Sequence, residues 1–143
     1  MLKYLLLILV GITFFLKTIL FYKNSEERLS LIINSIKDNP QLLKKFLLQK
    51  DKNGNNVLIS AEKERTKLIL DSVKDNPQLL EKVVLQKTDK GLSTLYGTPF
   101  SVKLVLDTAK EKPKLFEKLL LQQDNNRCNF LWCTNTDRVK YIL

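Results

Sequence analysis

The chain has 143 residues, with 24 lysines and arginines, 15 acidic residues and no histidine, and its formal net charge is +9. The lack of histidine removes the commonest general base and the commonest metal ligand. The two cysteines are too few for a disulfide framework or a four-ligand zinc site. The hydrophobic content of 44%, with only four glycines and four prolines, is typical of a globular chain and argues against a disordered one.

The chain begins with a long apolar segment. Residues 4–16 form an uninterrupted apolar run, Lys17 interrupts it, and residues 18–22 resume it. As a helix, residues 4–22 would rise about 28 Å, which crosses a bilayer core of about 30 Å if Lys17 reaches toward the headgroups. We therefore predict that residues 1–24 are an N-terminal hydrophobic membrane anchor or signal segment, with residues 4–22 as a single-pass membrane helix.

Two alternatives to the anchor stay open. A cleaved signal peptide has the same charged start and apolar run, although the small-x-small cleavage site is missing. Residues 4–22 can also form a first helix that its neighbours bury. The basic residues on the two sides of the run leave the membrane orientation open.

From residue 25 onward the chain repeats one unit. The sequence DNPQLL at residues 38–43 returns unchanged at 75–80, and a looser copy follows at 111–116. Residues 31–58 align with 68–95 without a gap at a period of 37, with 16 of 28 positions identical. The third copy follows after 36 residues, and a loop between residues 95 and 101 absorbs the deletion. Residues 25–143 are thus predicted to be one array with an incomplete last repeat.

Each unit predicts two helices. Asn76 is a favoured N-cap and Pro77 suits the first helical position. The residues that follow predict a helix running to about Lys87, and its apolar face consists of Leu79, Leu80, Val83 and Val84. Upstream, residues 67–74 predict a second helix, whose counterparts are residues 31–37 and 103–110.

A polar turn follows each pair of helices. Gly54 and Gly91 suit a positive φ in the first two turns, whereas Arg127 takes this place in the third. The third turn is therefore either strained or differently built. A short apolar start follows each turn, at residues 57–58, 94–95 and 130–131, and predicts a further short helix. No stretch alternates with the period of a strand, so the fold class is all-α.

The first turn resembles an ankyrin repeat. The family pattern is Asp, two residues, Gly, one residue, Thr-Pro-Leu-His, one residue and Ala, which matches this chain at Asp51, Gly54, Leu58 and Ala61. The resemblance covers about residues 25–143 and is closest to the elongated, degenerate ankyrin-like repeats of intracellular bacteria. It implies an α-helical solenoid that binds proteins.

The chain also departs from that pattern. Asn56 and Val57 stand where Thr-Pro is expected, and Ile59 replaces the histidine. These replacements remove the hydrogen bonds that normally tie one family repeat to the next. The period is also a few residues longer than the family norm, so a helical repeat of another type is the alternative.

Candidate chemical sites all have structural interpretations. Asp71 and Asp75 lie four apart and would suit an acid/base pair, but no histidine or apolar pocket is predicted beside them, so we interpret them as a solvated helix face. Cys128 and Cys133, five apart on one helix, would lie on different faces, so we expect small buried hydrophobes, with pairing in an oxidising compartment as the alternative. We expect Trp132 to pack inside the protein, with the anchoring of a partner as the alternative.

The lysines are spread through every unit, without a groove of interleaved aromatic residues. We therefore do not expect a nucleic-acid partner. No phosphate loop or nucleophile motif is present, and we assign no catalytic, cofactor-binding or metal-binding residue and no small-molecule substrate.

The sequence thus predicts a short helical solenoid of about three 37-residue ankyrin-like repeats, preceded by an N-terminal hydrophobic helix. Its predicted function is non-enzymatic protein–protein interaction at a membrane. Two alternatives are an exported soluble module with a cleaved signal peptide, and a truncated remnant of a longer repeat protein. The remnant interpretation depends on residues 139–143, which end partway through a predicted helix.

Overall fold

The computed structural model of this protein describes residues 26–142. The predicted membrane helix at residues 4–22 lies outside the described residues. The described part is all-α, and it contains one isolated β-bridge, between Gln123 and Asn129, but no strand. The helices are α1 (Glu26–Ile36), α2 (Pro40–Leu47), α3 (Lys63–Val73), α4 (Pro77–Val84), a 3-10 turn at Thr94–Tyr96, α5 (Pro99–Lys110), α6 (Pro113–Leu120), α7 (Phe130–Cys133) and α8 (Thr136–Ile142).

The repeated unit is a pair of helices followed by a connecting segment. The first member of each pair, called the A helix, is α1, α3 or α5, and the second, called the B helix, is α2, α4 or α6. The three connecting segments are residues 48–62, 85–98 and 121–135. The short helices predicted after the turns form in the second and third segments, as the 3-10 turn and α7, whereas residues 57–60 form only a turn.

The repeated Asn-Pro dipeptide starts the B helices, as predicted. Asn39 Oδ1 accepts a hydrogen bond from Leu42 N at 3.1 Å, and Asn76 Oδ1 accepts one from Leu79 N at 3.0 Å. These bonds satisfy backbone donors that a helix start leaves without a partner. In α6 the equivalent residue is Lys112, which makes no side-chain cap.

Four predicted helix boundaries are wrong, and two of them are the starts of α1 at Glu26 and of α5 at Pro99, which precede the predicted residues 31 and 103. Helix α4 ends at Val84 and not near Lys87, because the backbone beyond it leaves the helix and bonds to the preceding connecting segment. Helix α3 begins at Lys63, before the predicted residue 67. Its first two turns bury Arg65 and Thr66, and polar residues in a buried position hide the apolar periodicity from the sequence.

The A helices pack against one another in chain order. Helix α1 contacts α3, α3 contacts α5, and α5 contacts α8, while each A helix also contacts the B helix of its own pair. Equivalent positions enter the core in every pair, for example Ile36, Val73 and Ala109 from the A helices and Phe46, Val83 and Leu119 from the B helices. Helix α8 therefore lies where the A helix of a fourth pair would lie.

Candidate binding groove

Glutamines at one repeated position connect successive segments. Gln86 Nε2 donates to the carbonyl oxygen of Leu48 at 2.7 Å, and Gln122 Nε2 donates to that of Leu85 at 2.7 Å. Leu48 and Leu85 are the C-caps of α2 and α4. A helix end leaves its last carbonyls without partners, so each glutamine completes the B helix of the preceding pair.

The turns provide a second line of contacts between segments. Gly54 has a φ of 73°, and its carbonyl oxygen accepts from Asp89 N at 3.0 Å. A Cβ added at Gly54 would lie 2.6 Å from Asp89 Cβ, so glycine is needed for space as well as for conformation. Arg127 has a φ of 61°, so the third turn has the same left-handed conformation as the other two. Among the described residues, no later turn packs against it.

Asn56 stands where the ankyrin pattern has a threonine, and its side chain forms a hydrogen bond to the next connecting segment. Its Nδ2 donates to the carbonyl oxygen of Gln86 at 2.6 Å, and its Oδ1 accepts from Leu58 N at 3.0 Å and from Ile59 N at 2.8 Å. Asn56 is fully buried. The bonds of the missing threonine and histidine are thus replaced by a different one, which Asn56 makes between neighbouring segments.

A groove lies between the first two helix pairs. Its volume is about 490 Å³, and its apolar floor consists of Ile33, Leu43, Leu68 and Leu79. Three carboxylates and one ammonium group stand around this floor, from Asp38, Asp71, Asp75 and Lys37. All four charged residues are exposed. The groove thus carries an excess of negative charge in a chain whose formal net charge is +9.

The structure corrects the interpretation of the aspartate pair. Asp71 is on α3, whereas Asp75 lies in the turn that follows this helix, so the two do not share one helix face. Both are exposed, and both border an apolar groove that the sequence did not predict. Two exposed carboxylates beside an apolar floor can attract lysine or arginine side chains.

The two cysteines form a disulfide. Their Cα atoms are 6.2 Å apart, within the range that a disulfide spans. Cys128 lies in the turn before α7, and Cys133 is the exposed last residue of that helix. The predictions that they lie on different faces of one helix and are buried are both wrong, because Cys128 is not in the helix.

Burial shifts the pKa of two further side chains, Arg65 and Tyr96. Burial lowers the pKa of Arg65, while the nearby Glu62 and Glu26 act in the opposite direction. Burial also raises the pKa of Tyr96, Asp124 adds to this rise, and Arg138 opposes it. Neither residue carries a signal in the sequence that points to a site. The repetition of glutamine at residues 49, 86 and 122 was visible in the sequence, but its bonding role was not.

The described residues contain no group of three or more His, Cys, Asp or Glu side chains that could hold a metal ion. No family model, curated protein or solved structure matches this chain.

Proposed function

We propose that this chain is a membrane-anchored, non-enzymatic helical repeat protein that mediates protein–protein interaction. The observation that carries the proposal is the repeated bond from a glutamine amide to the preceding C-cap carbonyl, which Gln86 and Gln122 make in the same way. Equivalent residues that make equivalent contacts with the preceding unit are expected of a stacked array of repeats. This supports a short ankyrin-like solenoid, an architecture whose extended surface suits protein binding.

The groove between the first two helix pairs is the proposed contact surface. Its exposed aspartates favour basic side chains, and the half-buried Leu68 offers an apolar contact beside them. Exposed ion pairs each contribute about 0–1 kcal/mol, so the charged rim supplies selectivity more than affinity. The proposed partner segment is therefore one that carries basic residues.

Site-specific cross-linking tests this surface. A photo-reactive residue at Ser72, which lines the groove, is compared with one at Thr108, the equivalent position on α5 outside it. The proposal predicts a discrete cross-linked protein from Ser72 in native cells, weakened by the double change Asp71→Lys and Asp75→Lys. The matched control is the same charge change at Asp107 and Glu111. Equal products from Ser72 and Thr108, or products insensitive to the groove charges, would contradict the proposal.

The membrane part of the proposal rests on the sequence of residues 4–22. Within residues 26–142, no helix has the length and hydrophobicity needed to cross a bilayer. The test compares the full chain with residues 25–143 on carbonate-washed membranes. We expect the full chain to be retained and the shorter chain to be released. Retention of residues 25–143 alone would refute the anchor.

An exported module with a cleaved signal peptide is the second candidate. The disulfide between Cys128 and Cys133 favours it over an array anchored on the reducing side of a membrane, because disulfides persist in oxidising compartments. An anchored array on the oxidising side of a membrane would have the same disulfide. N-terminal sequencing of the mature protein separates the two, since the anchor requires Met1 or Leu2 to persist.

A further inference from the structure

An ion pair connects the second and third B helices at a position where the first and second carry two lysines. Lys118 Nζ on α6 lies 2.5 Å from a carboxylate oxygen of Glu81 on α4. In the aligned repeats, Lys82 on α4 is the equivalent of Lys118, and Lys44 on α2 is the equivalent of Glu81. The same contact one unit earlier therefore has two positive charges and no carboxylate.

Lys44 and Lys82 line one small cavity between α2 and α4. Its volume is about 170 Å³, and its other lining residues, which include Gln41 and Gln78, are uncharged. Both lysines are exposed, so the cavity is accessible from solvent. Within residues 26–142, neither lysine makes an ion pair. The cavity thus carries two positive charges that no side chain of its lining neutralises.

The charges of this cavity indicate what it binds. Two ammonium groups on neighbouring helices repel each other, and an anion placed between them replaces that repulsion with two attractions. The side-chain amides of Gln41 and Gln78 supply further donors for the oxygens of such an anion. At the equivalent contact one unit later, the carboxylate of Glu81 provides the negative charge. A carboxylate on an aliphatic side chain is therefore the anion with a precedent in this fold.

The cavity adjoins the groove of opposite charge. Pro40, Asn76 and Leu79 line both. The groove is bordered by aspartates, whereas the cavity is bordered by lysines, so the surface changes from negative to positive where the two meet. A protein segment that places a basic residue in the groove can therefore place an acidic residue in the cavity, with complementary charge at both positions.

We propose that the cavity between Lys44 and Lys82 binds the carboxylate of a glutamate or aspartate side chain from a partner protein. This inference rests on the proposed function, since it takes the partner to be a protein. It adds an acidic residue to the partner segment, beside the basic residues that the groove favours.

A small acidic peptide tests the site without knowledge of the partner. The probe is tetraglutamate with both ends blocked, added to the full chain in neutral detergent with its lysines labelled with ¹³C at Cε. Single Lys→Arg variants assign the NMR signals. The signals of Lys44 and Lys82 should shift and saturate at millimolar peptide. The signal of Lys45, which is exposed on the same helix but does not line the cavity, should shift much less.

Matched charge changes make the test specific. Lys44→Glu supplies the carboxylate from the chain itself, as Glu81 does for Lys118, and should weaken binding of the peptide at least about fivefold. Lys45→Glu makes the same charge change one residue away and should alter the affinity by less than about twofold.

A gain of binding provides the complementary test. Glu81→Lys places two lysines at the contact between α4 and α6, so it should create a second site of the same kind. The signal of Lys118 should then begin to shift with the peptide. Loss of folding cannot produce this result.

The absence of a saturable shift at Lys44 and Lys82 would overturn the proposal, as would equal effects of Lys44→Glu and Lys45→Glu. An equal shift with inorganic phosphate would assign the site to free oxyanions, and a shift caused by phosphatidylserine micelles without peptide would assign it to a lipid headgroup. Either result would also overturn the proposal. If the peptide fails to bind while the Ser72 cross-link persists, only this inference falls. Loss of that cross-link with the peptide still bound contradicts the proposed groove alone.

Discussion

The side-chain amide of Gln122 donates to the backbone carbonyl of Leu85, 2.7 Å away and 37 residues earlier in the chain. Gln86 makes the same bond to Leu48. Each bond satisfies a carbonyl at the end of a B helix and joins two neighbouring connecting segments. The connection between units therefore depends on a polar side chain at a repeated position as well as on apolar packing.

Replacement of Gln86 by alanine should destabilise the protein. The change leaves the Leu48 carbonyl without its donor, and such a loss costs about 1 kcal/mol in the free energy of unfolding. Gln86 Oε1 is itself buried without a hydrogen-bond partner, so removing it offsets part of this cost. Urea unfolding of the Gln86→Ala variant measures the difference. The control is Gln78→Ala, at an exposed position of α4, which should change stability by less than about 0.5 kcal/mol. Equal effects of the two changes would show that the bond contributes nothing.

Replacement of Gly91 by alanine should lower the free energy of unfolding more than Gln86→Ala does. Gly91 has a φ of 78°, and a Cβ there would lie 2.6 Å from the backbone nitrogen of Asn125. Backbone strain and this collision together should cost about 2 kcal/mol or more. Arg127→Gly provides the contrast, because it relieves a left-handed conformation and should raise stability by at most about 1 kcal/mol. Thermal unfolding of both variants checks whether Gly91→Ala lowers the stability and Arg127→Gly raises it. A neutral Gly91→Ala variant would show that the segments do not approach closely.

Reduction of the disulfide should destabilise the third connecting segment. Cys128 and Cys133 close a short loop, for which chain entropy predicts a contribution of about 2 kcal/mol. The measurement compares unfolding with and without a thiol reductant, and alkylation of the protein from native cells reports which state is present. A variant with both cysteines changed to serine should be insensitive to the reductant. Full alkylation of the native protein without prior reduction would contradict the disulfide.

Alkaline pH should destabilise the protein through Tyr96, whose ring packs edge-on against that of Phe130. Burial holds the pKa of Tyr96 above its ordinary value of about 10, so the folded state keeps the phenol proton more tightly than the unfolded state does. The associated stability is fully present below the ordinary pKa and is lost as the pH rises through the raised pKa. Unfolding midpoints measured upward from pH 9 should therefore fall, and Tyr96→Phe should flatten that fall. The same pH dependence in Tyr96→Phe would rule out this cause.

Residues 25–143 should unfold in one cooperative transition, because the contacts between the segments couple neighbouring units. Calorimetry of this fragment checks the prediction. It also tests the alternative that the chain is a remnant without independent function. A broad, non-cooperative transition would favour that alternative.

Local signals in the sequence were enough to predict the B helices and the turns. The N-cap at Asn76 and the left-handed glycines depend on residues only a few positions apart. The early start of α3 was missed because its buried face begins with Arg65 and Thr66, which carry no apolar signal.

The features of the candidate surfaces were harder to predict, because they depend on residues far apart in the sequence. The groove forms only when two helix pairs lie side by side. The expectation that Trp132 packs inside the protein is wrong, because it is 87% exposed, whereas the equivalent Tyr96 packs against Phe130 of the next segment. The cysteines pair because a turn, and not a helix, precedes α7.

The stacked arrangement of the units is the central claim, and distances between equivalent surface positions test it most directly. Gln41, Gln78 and Lys114 occupy the same place at the start of the three B helices, and all are exposed. Spin-labelled unnatural amino acids can be introduced there in pairs while the cysteines stay intact. The account predicts equal distances for residues 41–78 and 78–114, near the roughly 10 Å spacing of packed helices, and about twice that for 41–114. Unequal neighbouring distances, or a 41–114 distance no longer than either of them, would contradict it.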